Sequence, residues 1–356
     1  MFEQVLQVNC HTLANDGVGN FVSSFASILG EHGIPNKLLG NFIDRQSDFD
    51  MKNWANVDAI RNYATAKTLV VFHFAFQTPL CKVISALNCP KVILYHNITP
   101  PCFSKSPNAR LDTIESFQQM LYMASYFPYA WGVSEYNCSQ LREIGYARTR
   151  VVNYPCDFGK LSEIKPSDKI AKKDGAKNIL FVGRIAPNKR QKDAIKAFYY
   201  YRKINPCSEL TLVGSYEGES KRELEQLSAE LGVPVNIPGK IPLDELAAHY
   251  KNADLFLCMS EHEGFCIPLI EAMFFGVPVL AFQSSAVTET VGNAGIIFKQ
   301  KSFSHVAHLM DAILSDATLQ GKMKIAGRER ALCYSKEIVS EKIRSAIEDY
   351  AVELGI

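Results

Sequence analysis

The sequence predicts an α/β protein of two doubly wound domains, each a parallel sheet covered by helices. Three observations carry the prediction. The chain has 356 residues, more than one hydrophobic core usually organises and enough for two of roughly 150–200 residues each. Short runs rich in β-branched residues alternate with helix-length amphipathic stretches, the pattern of successive strand–helix–strand units. The alternation breaks once, at Pro155 and the polar stretch KLSEIKPSDKIAKKDGAK (160–177), and then starts afresh.

In the first half, apolar runs predict strands near 3–9, 36–40, 68–73, 91–95, 129–133 and 149–153, with helices between them. The second series begins at Asn178 with NILFVGR and continues with ELTLVG (209–214), VNIPG (235–239), DLFLCMS (254–260), VPVLAF (277–282) and GIIF (295–298). A last helix is predicted over 335–352, SKEIVSEKIRSAIEDYAV. The expected organisation is therefore a first domain over 1–160, a linker over 161–177, a second domain over 178–334 and a terminal helix within 335–356.

Composition narrows the function. Charged residues make up 21% and hydrophobic residues 47% of the chain, an ordinary globular balance. Lys and Arg number 13 against 12 Asp and Glu in residues 1–160, and 25 against 25 in 161–356. Neither half has the basic excess that nucleic acid would favour, so no nucleic-acid partner is expected. The ten cysteines are scattered, with no CxxC and no histidine at metal-ligand spacing, which predicts free thiols in a reducing cytosol. Acidic Glu3 and a short apolar run at the start do not read as a signal peptide. No stretch approaches the ~20 apolar residues of a membrane span. The expected location is the cytoplasm, and any membrane contact would be peripheral, at the inner face. The aromatic run MLYMASYFPYAW (120–131) could serve such a contact for a lipid-linked acceptor, but core is the preferred reading.

In open parallel sheets ligands bind beyond the carboxyl ends of the strands, which directs attention to two segments of the second half. SEHEGFCIPLIEAM (260–273) runs from a strand end into a helix, with Pro268 in the first turn. Backbone amides at the helix start, over Gly264, Phe265, Cys266 and Ile267, would favour a diphosphate. Glu271, one turn in, could accept hydrogen bonds from both hydroxyls of a ribose, while Glu263 in the loop lies closer to a transferred sugar. VGRIAPNKRQKDAIKAF (182–198) places Arg184 and Lys189 across a loop entering a helix, where both cations could reach one pair of phosphates. Arg190 and Lys192 read as a solvated helix face.

The ordered series GR-x4-K, LVG, YKNADLFLCMSEHEGFCIPLIEAMFFGVPVLAF and ETVGNAGIIF, over 178–300, resembles the nucleotide-sugar domain of family-4 glycosyltransferases of the GT-B fold. The resemblance implies two Rossmann-like domains facing a central cleft, with the C-terminal helix crossing back to the N-terminal, acceptor-binding domain. It implies a retaining hexosyl transfer with no metal ion and no cofactor, the nucleotide-sugar being a substrate. Arg184 and Lys189 correspond to the basic pair on the donor diphosphate, Glu263 to the signature glutamate near the donor sugar, and Glu271 to the one on the ribose. Cys266 departs from the second glycine of many relatives; it reads as a small side chain at a tight turn in preference to a nucleophile, since no histidine is placed to make it a thiolate.

In the first half the resemblance is looser. DGVGN (16–20) corresponds to the family's glycine-rich loop, with Gly17 and Gly19 letting backbone approach the donor, a plain tight turn being the competing reading. His96 in LYHNITPP (94–101) corresponds to the histidine facing the donor sugar, able to bond a hydroxyl or stabilise separating charge; a satisfied strand-end histidine is the alternative. His73 reads as buried and structural, and Ser134 as a helix cap. The variants HEGFC-x-PLIEAM and YHNITP resemble bacterial lipopolysaccharide or O-antigen mannosyltransferases, which points to GDP-mannose as donor, UDP-hexose as runner-up, and a saccharide or lipid-linked saccharide as acceptor. An epimerase or phosphorylase of the same fold and a non-catalytic nucleotide-sugar-binding protein are the alternatives; no pyridoxal-phosphate lysine site supports a phosphorylase.

Overall fold

The computed structural model describes residues 2–12, 17–43, 52–53, 57–170 and 172–356. The chain divides into two units, residues 1–155 with Lys336–Ile356, and Cys156–Ser335.

Unit 1 begins with β1 (Gln4–Thr12), α1 (Gly17–Glu31), β2 (Asn36–Ile43), β3 (Lys52–Asn53), α2 (Val57–Tyr63), β4 (Thr68–Phe74), α3 (Leu80–Ser85) and β5 (Lys91–Tyr95). It continues with α4 (Pro107–Met123), β6 (Tyr129–Gly132), α5 (Glu135–Ile144) and β7 (Arg148–Val151). The sheet order is β3-β2-β1-β4-β5-β6-β7, parallel throughout. Six of these strands are those the apolar runs predict. The seventh, β3, has two residues, too few for any periodicity to register.

Both faces of the sheet are covered, so β4 is buried along its whole length, TLVVFHF, as parallel strands require. Phe21, Val22, Phe25, Ile28 and Leu29 recur at helical spacing and give α1 its buried face. The aromatic run at 120–131 divides: Met120, Met123, Phe127, Ala130 and Trp131 are core, whereas Leu121, Tyr122 and Tyr126 are exposed. The chain leaves β1 toward β2 and β3, then returns to β4 on the other flank. The switch point lies between β1 and β4.

Unit 2 starts with α6 (Phe158–Glu163), β8 (Lys177–Val182), α7 (Gln191–Ile204), β9 (Ser208–Val213), α8 (Ser220–Leu231), β10 (Val235–Gly239) and α9 (Leu243–Asn252). There follow β11 (Leu255–Cys258), α10 (Ile267–Phe274), β12 (Val279–Phe282), α11 (Val287–Val291), β13 (Ile296–Phe298), α12 (Phe303–Ser315) and α13 (Ala317–Leu332). The sheet order β10-β9-β8-β11-β12-β13 puts its switch point between β8 and β11. Its core joins Ile179 and Phe181 of β8 to Phe198, Leu212, Leu257 and Leu280. Gly214 is where close approach demands glycine: its φ is +154° and a Cβ there would lie 2.0 Å from the Gly183 carbonyl oxygen.

The boundary between the units falls at Pro155 and Cys156, ahead of the stretch expected to link them. That stretch is polar but tied to unit 2. Asp157 caps α6 by accepting from the Lys160 amide, and Phe158 stacks on Phe274 at 4.4 Å. Asn252 Nδ2 donates to the Ile170 carbonyl at 2.7 Å, and Lys172 pairs with Asp254 at 2.6 Å. Polar composition marked the segment as surface without saying which surface held it.

The last helix, α14 (Lys336–Glu353), belongs to unit 1. Val339, Ile343, Ala346, Ile347 and Tyr350 form its buried face. Tyr350 packs on Tyr129 at 3.9 Å and donates from its hydroxyl to the Lys91 carbonyl at 3.1 Å. His32 Nε2 meets Ser340 Oγ at 2.7 Å.

Candidate active site

Because β8 and β11 are neighbours at the switch point, the loops after them, 183–190 and 259–266, lie side by side. The first loop closes with a 3-10 turn, Pro187–Lys189, and with Arg190 in the left-handed region at φ 59°. Asn188, buried, stitches the two together: its Nδ2 donates to the His262 carbonyl at 3.0 Å, and its own carbonyl accepts from the Glu261 amide at 2.8 Å. A third loop, after β12, holds the second from behind. The Glu263 amide donates to Ser285 Oγ at 2.7 Å, and Ser284 Oγ donates to the Ser260 carbonyl at 2.6 Å.

Within this frame Lys189 Nζ lies 2.7 and 2.6 Å from the two carboxylate oxygens of Glu263, with the side chains 19% and 7% exposed. Burial works against the ammonium, but the Glu263 charge and hydrogen bonds outweigh it and hold the Lys189 pKa above its ordinary value. Removing one member of such a pair leaves an uncompensated buried charge, which costs about 3–5 kcal/mol. Arg184 stands apart: its side chain is 60% exposed and its nearest carboxylate is Glu217, at 4.0 Å.

Arg190 is more than part of a solvated face. Its Nε lies 3.0 Å from Asp193 and 3.1 Å from Glu261, and Lys301 Nζ reaches the same two carboxylates at 2.9 and 2.8 Å. Two cations alternating with two anions join the loops after β8 and β11 to the end of β13. Lys192 pairs with Glu223 at the surface, 2.8 Å away.

Cys266, the residue before α10, has φ 69° and ψ 66°, a backbone region glycine enters freely and cysteine at a cost. Its side chain is buried, as is that of Phe265, whose ring meets Tyr334 edge-on at 5.2 Å. Gly264 and Ile267 are partly exposed. Cys266, Cys258 and Glu263 bring their ligand atoms within 4.8 Å of one another, a buried set of metal-ligating type that sequence spacing did not suggest. Both oxygens of Glu263 are already engaged by Lys189, and contact with the Cys258 thiol together with burial pushes the Cys266 pKa well up. The same contact lowers the Cys258 pKa, so the proton shared by the two thiols rests on Cys266.

Glu271 projects from the second turn of α10 and accepts a hydrogen bond from Tyr250 Oη at 2.7 Å on Oε2. Its Oε1 has no protein partner among the described residues. Burial raises its pKa, partly offset by the tyrosine. Tyr250 was not singled out in the sequence; its only mark there is its place in YKNAD, just ahead of β11.

In unit 1, Gly17 opens α1 and a Cβ there would meet nothing within 4 Å, while Gly19 is buried within the helix. Asp16 of the same motif lies outside the described residues. His96 follows β5; its amide donates to the Phe74 carbonyl at 2.9 Å and its Nε2 lies 2.9 Å from His73 Nδ1. Burial lowers the His96 pKa to about 3 and that of His73 well below its ordinary value, the His96 ring adding to the effect on His73. Both rings are thus neutral near pH 7, which favours a hydrogen-bonding role for His96 over a charge-stabilising one. Ser134 caps α5, accepting from the Asn137 amide at 3.2 Å.

Residues 163–330 match the family model described as glycosyl transferases group 1. A GDP-mannose-dependent alpha-(1-6)-phosphatidylinositol monomannoside mannosyltransferase of Mycolicibacterium smegmatis is 30% identical over 165 residues, 43% of this chain and 43% of that protein. The chain thus matches under half the length of this curated relative. Sucrose-phosphate synthase from Thermosynechococcus elongatus superposes with a TM-score of 0.81 at 17% identity, covering 99% of this chain and all of the other. Anabaena HepE in complex with UDP and glucose gives 0.74 at 17%, covering 98% of this chain and all of the other. The fold is GT-B. No helix among the described residues is long and apolar enough to cross a membrane.

Proposed function

We propose that this chain is a retaining glycosyltransferase of family-4 type that transfers a hexose from a nucleotide-sugar to a saccharide or lipid-linked saccharide. The observation that carries the reading is the buried Lys189–Glu263 pair beside the start of α10. It sets a cation and a carboxylate beside a helix start at one switch point, the means to hold a diphosphate with its sugar. The group 1 match over 163–330 supports it.

In the mechanism we assign, the bond from the anomeric carbon to the diphosphate breaks with Arg184, Lys189 and the amides of 264–267 taking up the charge. The acceptor hydroxyl attacks on the same face, and its proton passes to the departing diphosphate oxygen. Glu263 orients Lys189 and lies near the sugar, Glu271 accepts from the ribose, and His96 accepts from a sugar hydroxyl. Gly17 and Gly19 let the start of α1 approach the donor. No metal enters this scheme, because cationic side chains and amides serve the leaving group; turnover is therefore expected to survive EDTA treatment, and a strict requirement for added Mg²⁺ or Mn²⁺ would refute that part.

GDP-mannose is the proposed donor, in the synthesis of a surface polysaccharide such as O-antigen. The mycobacterial relative's dependence on GDP-mannose supports this, and a UDP-hexose is the second reading, favoured by the UDP-bound HepE neighbour. The proposed location is the cytoplasm, with peripheral contact at the inner membrane face where a lipid-linked acceptor would be met. A thermal-shift panel with GDP, UDP, ADP and their sugars separates the readings, since a ligand that binds only the folded state raises its stability by mass action. GDP and GDP-mannose should give the largest shifts, and free GDP should accumulate when acceptor is added. Binding without release of nucleoside diphosphate would mark a non-catalytic sugar-nucleotide binder instead.

A further inference from the structure

A row of polar side chains crosses the unit 1 sheet diagonally. Asn36 on β2 has Val5 of β1 as its Cα partner, and two residues further along β1 is Gln7. Gln7 partners Val71 of β4, and two residues further is His73. His73 partners Leu94 of β5, and two residues further, just past the strand, is His96. A step of two residues preserves the face of a strand, so the four side chains share one face and rise toward the carboxyl ends. Gln7 and His73 are 0% and 2% exposed, and buried polar groups of this kind are costly unless each is hydrogen-bonded.

The bonds run in one direction only. Asn36 Nδ2 lies 3.3 and 3.4 Å from the Ala26 and Ile34 carbonyl oxygens. Carbonyls accept and never donate, so that end of Asn36 is the amide nitrogen and its Oδ1 faces Gln7. Gln7 Nε2 donates to that oxygen at 3.5 Å, which turns Gln7 Oε1 toward His73 Nε2, 3.0 Å away. An amide oxygen also only accepts, so His73 carries its hydrogen on Nε2. A neutral imidazole has one N–H, which leaves His73 Nδ1 as an acceptor for His96 Nε2 at 2.9 Å. The opposite tautomer of His96 would set two lone pairs against each other at that distance. Phe21 covers both rings edge-on, at 4.9 Å from His96 and 6.0 Å from His73, and Phe25 lies 5.9 Å from His73.

We propose that this row fixes His96 as the Nε2–H tautomer, so that Nδ1 accepts a hydrogen bond from a hydroxyl of the bound ligand, with Asn36, Gln7 and His73 as positioning residues. The identity of that hydroxyl rests on the glycosyltransferase reading, where it belongs to the donor sugar; the tautomer itself does not. The site then selects for a donating group. A donor whose contacted hydroxyl is replaced by fluorine keeps its size but has no hydrogen to give.

Long-range 1H–15N correlation spectra of histidine-labelled protein at pH 7 read the tautomers directly. His73 and His96 should both show a protonated Nε2 and a bare Nδ1. An Nδ1–H signal at His96, or a doubly protonated ring, overturns the proposal. Gln7→Met removes the acceptor at nearly constant volume, and a mixture of tautomers should then appear at both rings; an unchanged His96 signal would show that Gln7 does not set it. The same variant should lose about three- to tenfold in kcat/KM for the nucleotide-sugar, the span of one neutral hydrogen bond, while the Kd of the nucleoside diphosphate stays as it was. Should the wild-type protein bind no nucleotide-sugar at all, the glycosyltransferase reading fails and takes the ligand half with it, while the tautomer remains readable from the spectra.

Discussion

In the proposed mechanism Lys189 and Glu263 carry the charge at the reacting centre, and each limits what the other can do. With both carboxylate oxygens on one ammonium, Glu263 is held as a partner to a cation and is not poised as a nucleophile. Lys189→Ala should therefore lower kcat with the full donor by about 100-fold or more, the scale of one lost charge-stabilising group, yet leave the affinity for the nucleoside nearly unchanged. Glu271→Ala should do the reverse, weakening nucleotide binding by about 1.5–3 kcal/mol if its carboxylate takes the ribose hydroxyls; isothermal titration with nucleoside and nucleoside diphosphate measures both. The histidines make a separate prediction. A ring whose folded pKa is depressed binds fewer protons folded than unfolded, so stability is lost as pH falls below the unfolded value of about 6.5 and continues to fall toward about 3 for His96. Urea midpoints should drop between pH 7.5 and pH 5, with roughly two protons taken up on unfolding at the lower pH. A midpoint that does not move would mean the two rings are not buried and neutral.

At the scale of elements, the site is made by turns at strand ends whose backbone few residues tolerate. Gly214 lets the turn after β9 lie against the Gly183 carbonyl, and that contact sets where the loop bearing Arg184 and Lys189 starts. Gly214→Ala should destabilise unit 2 by about 3 kcal/mol or more through a backbone clash and a strained φ together, and should abolish nucleotide-induced thermal shifts. A variant melting like the wild type would show that the turn can relax. Cys266 makes the complementary case: a left-handed residue before α10 occupies backbone space that glycine enters freely, and the cysteine here reads as a tolerated side chain.

The whole molecule is two units with interleaved chain order, since α14 ends the sequence but belongs to unit 1. Deleting 336–356 removes the buried side chains of Val339, Ile343, Ala346, Ile347 and Tyr350 from unit 1, and each large apolar side chain so lost is worth about 1.5–3 kcal/mol. Calorimetry of the truncated chain should show the unit 1 transition lowered or absent and the unit 2 transition largely kept. Equal lowering of both would mean that the units do not unfold separately.

The sequence by itself determined the strand–helix alternation, twelve of the thirteen strands among the described residues and the loops after β8 and β11 as the places to look, because hydrophobic period and strand-end position are local properties. It also placed His96 at a strand end and Glu271 one turn into its helix. What only the tertiary structure decided are the relations between distant segments. Lys189 meets Glu263 across 74 residues, Tyr250 meets Glu271, Cys258 approaches Cys266, and residues 161–170 and 172–177 belong to unit 2. His73, read as a buried structural histidine, is indeed buried, but only the strand register joins it to Gln7 and His96. Such pairings depend on which strands become neighbours and on the side toward which each loop closes, and a one-dimensional pattern of apolar and polar residues carries neither.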